Sequence, residues 1–222
     1  MERILSPARV RRYFAVGIVL TRIQSIGEEE GGKKLRTNLI EIKGTWRSIA
    51  DAARTTIHKE EGSNEPSSSW KRKMLLAEHS PIRKLIISWK WYDLPYWNSM
   101  HLVRHKHGIE HFVRTQRTDR TGTDRNELLQ GALVEHESEA NAQAIINISR
   151  KRLCRQASRE TQQAWKLVLE SIREREPELY SVCVPECIYR GWCYEYKPCG
   201  YSGTQHYKCE LERYRKKEEK NE

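Results

Sequence analysis

No stretch of this sequence is long and apolar enough to cross a bilayer. The longest apolar run near the start, Tyr13 to Leu20, falls far short of the roughly 20 residues a spanning helix needs. It follows Arg9, Arg11 and Arg12, as the core of a signal peptide would, yet no small-residue cleavage site comes after it. A cytoplasmic protein is therefore expected. There is no Gly-rich dinucleotide fingerprint, so a nicotinamide reductant has no site that can be read from the chain. There is no internal repeat. Cysteine is nearly missing until the end, with five of six lying after residue 180, and no CxxC pair occurs among them. In a Lys- and Glu-rich chain without a convincing signal, disulfides are the weaker explanation of that cluster. Apolar residues are scarce at 37%, against 32% charged, yet 222 residues suffice to bury one core.

What the chain has in excess is positive charge. A formal net charge of +10 and a pI near 9.4 favour anionic partners such as nucleotides, nucleic acid or phosphorylated cofactors. Residues 1–36 read as an appendage, with a basic start, an apolar patch and the joint Gly27-Glu-Glu-Glu-Gly-Gly-Lys-Lys. Asn38 to Lys43 alternates as a first strand and is broken by Gly44. Thr45 to His58 reads as a helix with Trp46, Ile49, Ala53 and Ile57 on one side. Residues 59–68 form a loop whose serines cap a helix from Trp70 to Glu78, and Pro81 stops it. Lys84 to Trp91 is β-rich and is expected as a central strand. Asp93-Leu94-Pro95 then turns into a helix carrying Trp97, Met100 and Val103, with Gly108 as its C-terminal cap. Glu110 to Asp124, rich in arginine, reads as a loop facing an anion or solvent.

Asn141 to Gln163 organises the rest. Ala142, Ile145, Ile146 and Leu153 keep a stripe at helical spacing, flanked by Asn141, Asn147, Arg150 and Arg152. Such a helix buries one side and offers amides and guanidinium groups from its margin, either to a ligand or to solvent. Ser158 caps a further helix, with Ala164, Leu167, Val168, Ser171 and Ile172 on one face and Pro177 at its end. The fold expected is one α/β (α+β) domain over residues 37–180, a mixed sheet with flanking helices, with a Cys-rich extension over 181–222.

In order, four blocks resemble the flavin-dependent thymidylate synthases, the ThyX family, over roughly residues 38–180. They are Asp51-Ala-Ala-Arg-Thr-Thr-Ile; Glu78-His-Ser-Pro; Arg104-His-Lys followed by Thr115-Gln-Arg; and Asn141-Ala through Asn147 to Arg152, then Glu160 and Gln162. The resemblance implies a homotetramer that binds FAD between subunits and converts dUMP to dTMP with methylenetetrahydrofolate, NADPH serving as reductant. By matched position it implies that Thr56, Ser80, Arg104, His105, Lys106, Asn141 and Asn147 hold the flavin. His101, Thr115, Arg117 and Arg152 would hold the nucleotide, with Arg152 polarising the pyrimidine. The chain departs from the pattern at Glu78, where the family has histidine, and at Lys106, where it has arginine. No Asn-Glu is recognisable in 108–113, one residue is inserted before Thr115, and the segment before Asn141 is shortened. Those departures leave dCMP as substrate, or hydroxymethylation, as alternatives within the class. A non-catalytic nucleic-acid binder is the alternative outside it, given seven tryptophans and ten tyrosines in a basic chain.

The tail spacing Cys183-x3-Cys187-x5-Cys193-x5-Cys199 can supply four soft ligands to tetrahedral zinc. The plainer alternative is reduced thiols packed among Tyr189, Trp192, Tyr194 and Tyr196.

Overall fold

The computed structural model describes residues 24–25 and 34–216. Most of the expected N-terminal appendage and the last six residues lie outside that span. The fold is mixed α/β. A five-stranded antiparallel sheet, in the order β1-β2-β3-β5-β4, is built from Gln24–Ser25 (β1), Arg36–Lys43 (β2), Ile86–Pro95 (β3), Ile109–Val113 (β4) and Leu133–Asn141 (β5). Around it run α1 (Trp46–Thr55), α2 (Ser68–Leu76), α3 (Tyr96–Leu102), α4 (Thr118–Thr121), α5 (Ala142–Arg152), α6 (Arg159–Ile172), α7 (Pro177–Val182), α8 (Glu186–Arg190) and α9 (Gln205–Arg215). Among the described residues no helix is long and apolar enough to cross a membrane.

Helix starts follow local chemistry. Thr45 and Ser48 form a reciprocal capping box at α1, and Ser67, Asn141, Ser158 and Thr204 each accept a backbone N–H at the start of their helices. The expected face of α1 is only partly right. Trp46 and Ile49 are buried, but the helix ends at Thr55, so Ile57 lies beyond it and is exposed. Gly44 must be glycine for two reasons: its φ is +86°, and a Cβ there would stand 2.2 Å from the Lys84 carbonyl oxygen. Gly44→Ala is expected to cost more than about 1 kcal/mol in urea unfolding. A variant as stable as the wild type would refute this account of the turn.

The core is led by Trp89 and Trp91 of β3 and Trp165 of α6, all fully buried. Trp89 meets Trp91 and Trp165 edge-on at 5.4 and 5.7 Å. The Trp165 indole N–H donates to Ser149 Oγ, and that of Trp91 to the Ala164 carbonyl, each at 2.9 Å, which ties α6 to α5 and to the sheet. Pro177 opens α7 rather than closing α6, because proline at the first helical position loses no hydrogen bond. The same core continues through Val182 and Cys183.

Two strands differ from the sequence reading. Glu110 to Val113 belongs to β4, paired with β5, where a loop was expected. β5 itself occupies the segment read only as a shortened piece before Asn141. Its burial alternates strictly, with Val134, His136, Ser138 and Ala140 inward and Glu135, Glu137 and Glu139 more open. The period of two is present, but half of its buried positions carry polar residues, so hydrophobic alternation does not reveal it. Gly108 precedes β4 instead of capping α3, which already ends at Leu102.

Candidate functional site

Three side chains and the His101 carbonyl converge where α3 and the turn after it meet the end of α5. Arg152, in the last turn of α5, donates from Nε to His105 Nε2 at 2.8 Å and from its terminal nitrogen to the His101 carbonyl. Arg104 lies close enough that its charge lowers the pKa of Arg152, after the larger effect of burial. Among the described residues no carboxylate pairs with either guanidinium. Two adjacent cations without a counter-charge form a place where an anion, or developing negative charge, is stabilised.

Below this pair lies a chain of neutral histidines. Since His105 Nε2 accepts from Arg152, its own proton belongs on Nδ1. Burial first, then the charges of Arg152 and His111, push its pKa down to about 4. His111 contacts the His105 carbonyl through Nε2 at 3.0 Å, so Nε2 carries the proton and Nδ1 accepts. The partners of that Nδ1 are His136 Nε2 at 3.0 Å and Ser138 Oγ at 2.9 Å. His136 then accepts at Nδ1 from Ser99 Oγ at 3.0 Å. Burial, with the charge of His111 second, pushes the His136 pKa down to about 3. Every ring is therefore neutral near pH 7, and one consistent set of tautomers satisfies the chain from Ser99 to Arg152.

A second buried group holds His101. Thr161 donates to Asn98 Oδ1 at 2.8 Å, so toward His101 Nδ1, at 3.4 Å, it accepts. That assigns the His101 proton to Nδ1 and leaves Nε2 as an acceptor. The Asn98 amide nitrogen is buried without a hydrogen-bond partner.

Of the residues expected from sequence, His101, Arg104, His105 and Arg152 are thus brought together. Asn141 stands beside them through Gly108: its backbone N–H bonds the Gly108 carbonyl at 2.9 Å, and a Cβ on Gly108 would meet its amide at 2.5 Å. Its side-chain oxygen is committed to capping α5. The others make their contacts elsewhere. Thr56 donates to the Ala53 carbonyl at 2.7 Å, and Arg117 pairs with Asp119 at 2.8 Å, while Thr115 accepts from the Arg117 N–H. Asn147 accepts from Gln143 and Arg150, beside Glu78, which pairs with Arg150. Ser80 and Lys106 are exposed. The sequence reading missed Ser99, His111, His136, Ser138 and Thr161. The alternation of β5 was the one signal that could have found two of them.

None of these residues lines the large cavity of about 1220 Å³ between the α5–α6 connection and the C-terminal extension. All four cysteines expected as zinc ligands do line it. Cys183, however, is buried as part of the main core, with its thiol pushed up to about 12 by burial. Among the described residues no three His, Cys, Asp or Glu side chains stand as a ready metal-binding group, so the expected set is not assembled.

An antiparallel sheet flanked by helices, with basic and imidazole groups gathered at the end of α5, defines a ThyX-like fold. Two solved structures share it. One is a UMP/dUMP methylase PolB from Streptomyces cacaoi bound with 5-Br dUMP, at a TM-score of 0.55 and 13% identity, covering 67% of this chain and 94% of that one. The other is Thymidylate Synthase X (ThyX) from Helicobacter pylori with FAD and dUMP, also at 0.55 and 13%, covering 67% and 98%. No protein-family profile matches the sequence, and no curated protein matches it.

Proposed function

We propose that this protein is a flavin-dependent methylase of a pyrimidine deoxynucleotide, converting dUMP to dTMP with FAD and methylenetetrahydrofolate, and NADPH as reductant. The observation that carries the proposal is the pair Arg104 and Arg152, without a carboxylate, in a fold shared with a protein that binds FAD and dUMP. The donor set fits both ligands. Arg104 and Lys106 are exposed cations suited to phosphate, and His105 is neutral. When bound, the reduced flavin supplies the reducing equivalents.

The chain's own residues do the rest. Arg152, half-buried and fixed by His105 and the His101 carbonyl, hydrogen-bonds the pyrimidine and stabilises the charge that develops on the ring. His101 presents an acceptor at Nε2, suited to the ring N–H of a uracil. Thr56, Ser80, Thr115, Arg117 and Asn147 lie outside the cluster within one chain, so in this proposal a homotetramer joins them to it from neighbouring subunits. The residues sit in a domain over 37–180 of a cytoplasmic enzyme.

The test is an absorbance scan of the purified protein, followed by titration with dUMP and dCMP. A yellow protein whose flavin spectrum shifts with dUMP, and which forms dTMP only when methylenetetrahydrofolate is added, is expected. Preference for dCMP would move the substrate assignment to cytosine. A colourless protein that binds neither added FAD nor dUMP would overturn the proposal.

A further inference from the structure

The C-terminal extension packs on the main domain without using its largest exposed side chains. Its own buried cluster is Ile188, Tyr201 and Tyr207, and Tyr214 packs against both that cluster and the main core. Arg150 lies over the Tyr189 ring at 3.4 Å, Arg72 donates to the Tyr214 carbonyl at 2.9 Å, and Gln156 donates to that of Lys197. Three further aromatics stand outside this packing. Trp192, Tyr194 and Tyr196, at every second position of one irregular segment, are 60%, 62% and 97% exposed. Large rings held open to water side by side on a docked segment mark a contact surface.

Cations frame these rings. Arg190 lies over Tyr194 at 3.9 Å, and the exposed Lys197 follows Tyr196 directly. The Gln156 hydrogen bond sets residues 155–156 against Lys197, and Arg155 is exposed, lying over Tyr201 at 3.9 Å. Lys151 and Arg190 share one carboxylate, Glu186, at 3.7 and 4.0 Å, whereas among the described residues none pairs with Arg155 or Lys197. Glu195 is the one carboxylate within the segment itself. Four cations beside two carboxylates, in a chain of net charge +10, attract a polyanion and repel a second copy of the same chain.

We propose that the segment from Arg190 to Lys197, with Lys151 and Arg155 beside it, binds single-stranded nucleic acid. The rings stack on unpaired bases, and the cations meet the phosphates between them. A duplex keeps its bases stacked on one another, so it engages only the cations and binds less tightly. The surface shares no residue with the Arg104 and Arg152 site and stands whether or not the proposed activity does.

The test is fluorescence anisotropy of the full chain with a labelled oligodeoxyadenylate, which offers no pyrimidine to the proposed active site, beside a duplex of the same length. Four phosphate contacts on a single strand predict a slope of about −3 for log K against log salt. The duplex should bind at least about tenfold more weakly, and Trp192→Ala and Tyr196→Ala should each weaken single-strand binding by about tenfold with the salt slope unchanged. Lys197→Ala should reduce that slope by about 0.7. Quenching of tryptophan fluorescence in the wild type, expected on binding, is a readout that stands even if a variant misfolds. Saturating dUMP should not displace the oligonucleotide. No single-strand binding at about 50 mM salt would overturn the proposal. So would equal affinity for duplex and single strand that the ring variants leave unchanged, since net charge would then suffice. Displacement by dUMP would move the contact to the Arg152 site, and loss of oligomer mass in the ring variants by light scattering would place the rings between copies of the chain; either result overturns the surface. All readings are taken without flavin or folate, so failure here is distinct from failure of the proposed activity.

Discussion

Replacing Arg152 by alanine is expected to lower nucleotide turnover by about 10²–10³-fold while the chain remains folded. The guanidinium is half-buried, held at Nε by His105 and at a terminal nitrogen by the His101 carbonyl, with Arg104 nearby and no carboxylate to quench it. Alanine removes the one planar donor in the cluster that is fixed on both sides. Arg152→Lys keeps the charge but loses the fork, so it should recover only part of the rate. The loss should fall mainly on kcat, because the interaction strengthens as charge develops on the ring. Product formation by chromatography and unfolding by circular dichroism are the two measurements. Unchanged turnover in a folded Arg152→Ala protein would remove this residue from the proposed chemistry.

Stability should fall steeply between pH 6.5 and 4.5, with His136 and His105, whose folded pKa is about 4, contributing comparable shares of the fall. The folded pKa of His136, about 3, lies below the unfolded value of 6.5, so the folded state holds it neutral while the unfolded state takes up a proton. The contribution is therefore complete above pH 6.5 and is lost as the pH drops toward 3. Over the two units from 6.5 to 4.5, at about 1.4 kcal/mol per unit, the loss is on the order of 3 kcal/mol. The groups facing His136 are His111, Ser99 and Ser138. His111 is itself lowered, chiefly by burial, and adds in the same direction. Glu78, Glu135 and Glu139 all lie below 4.5 and act mainly at lower pH, whereas Glu176, raised by burial, works the opposite way. His136→Gln should flatten this limb in urea unfolding across the window. A limb of equal slope in a folded variant would show that His136 is not among its causes.

Much of the scaffold was legible because its causes are local. Serine, threonine and asparagine caps set the helix starts at Ser67, Asn141 and Ser158, since those side chains reach only the next turn. The stripe of α6 and the run of β3 were equally plain, because nearly all of their buried positions are apolar. β5 and β4 were hidden for the opposite reason. Their inward positions include His111, His136 and Ser138, which are tolerable only because each finds a partner across the strands, and no sequence window contains that partner.

The order of motifs that resemble the ThyX family singled out Arg104 and His105 for the flavin and Arg152 for the nucleotide, as an expectation drawn from sequence. Only the tertiary structure decided how they meet. It set His105 as an acceptor for Arg152, with His111 and His136 neutral beneath it, because that depends on which nitrogen faces which donor. The tail divides in the same way. Cysteine spacing announced four soft ligands, but spacing measures distance along the chain. Folding buried Cys183 in the main core and, among the described residues, gathered no three metal-ligating side chains, since which thiols meet is set by packing.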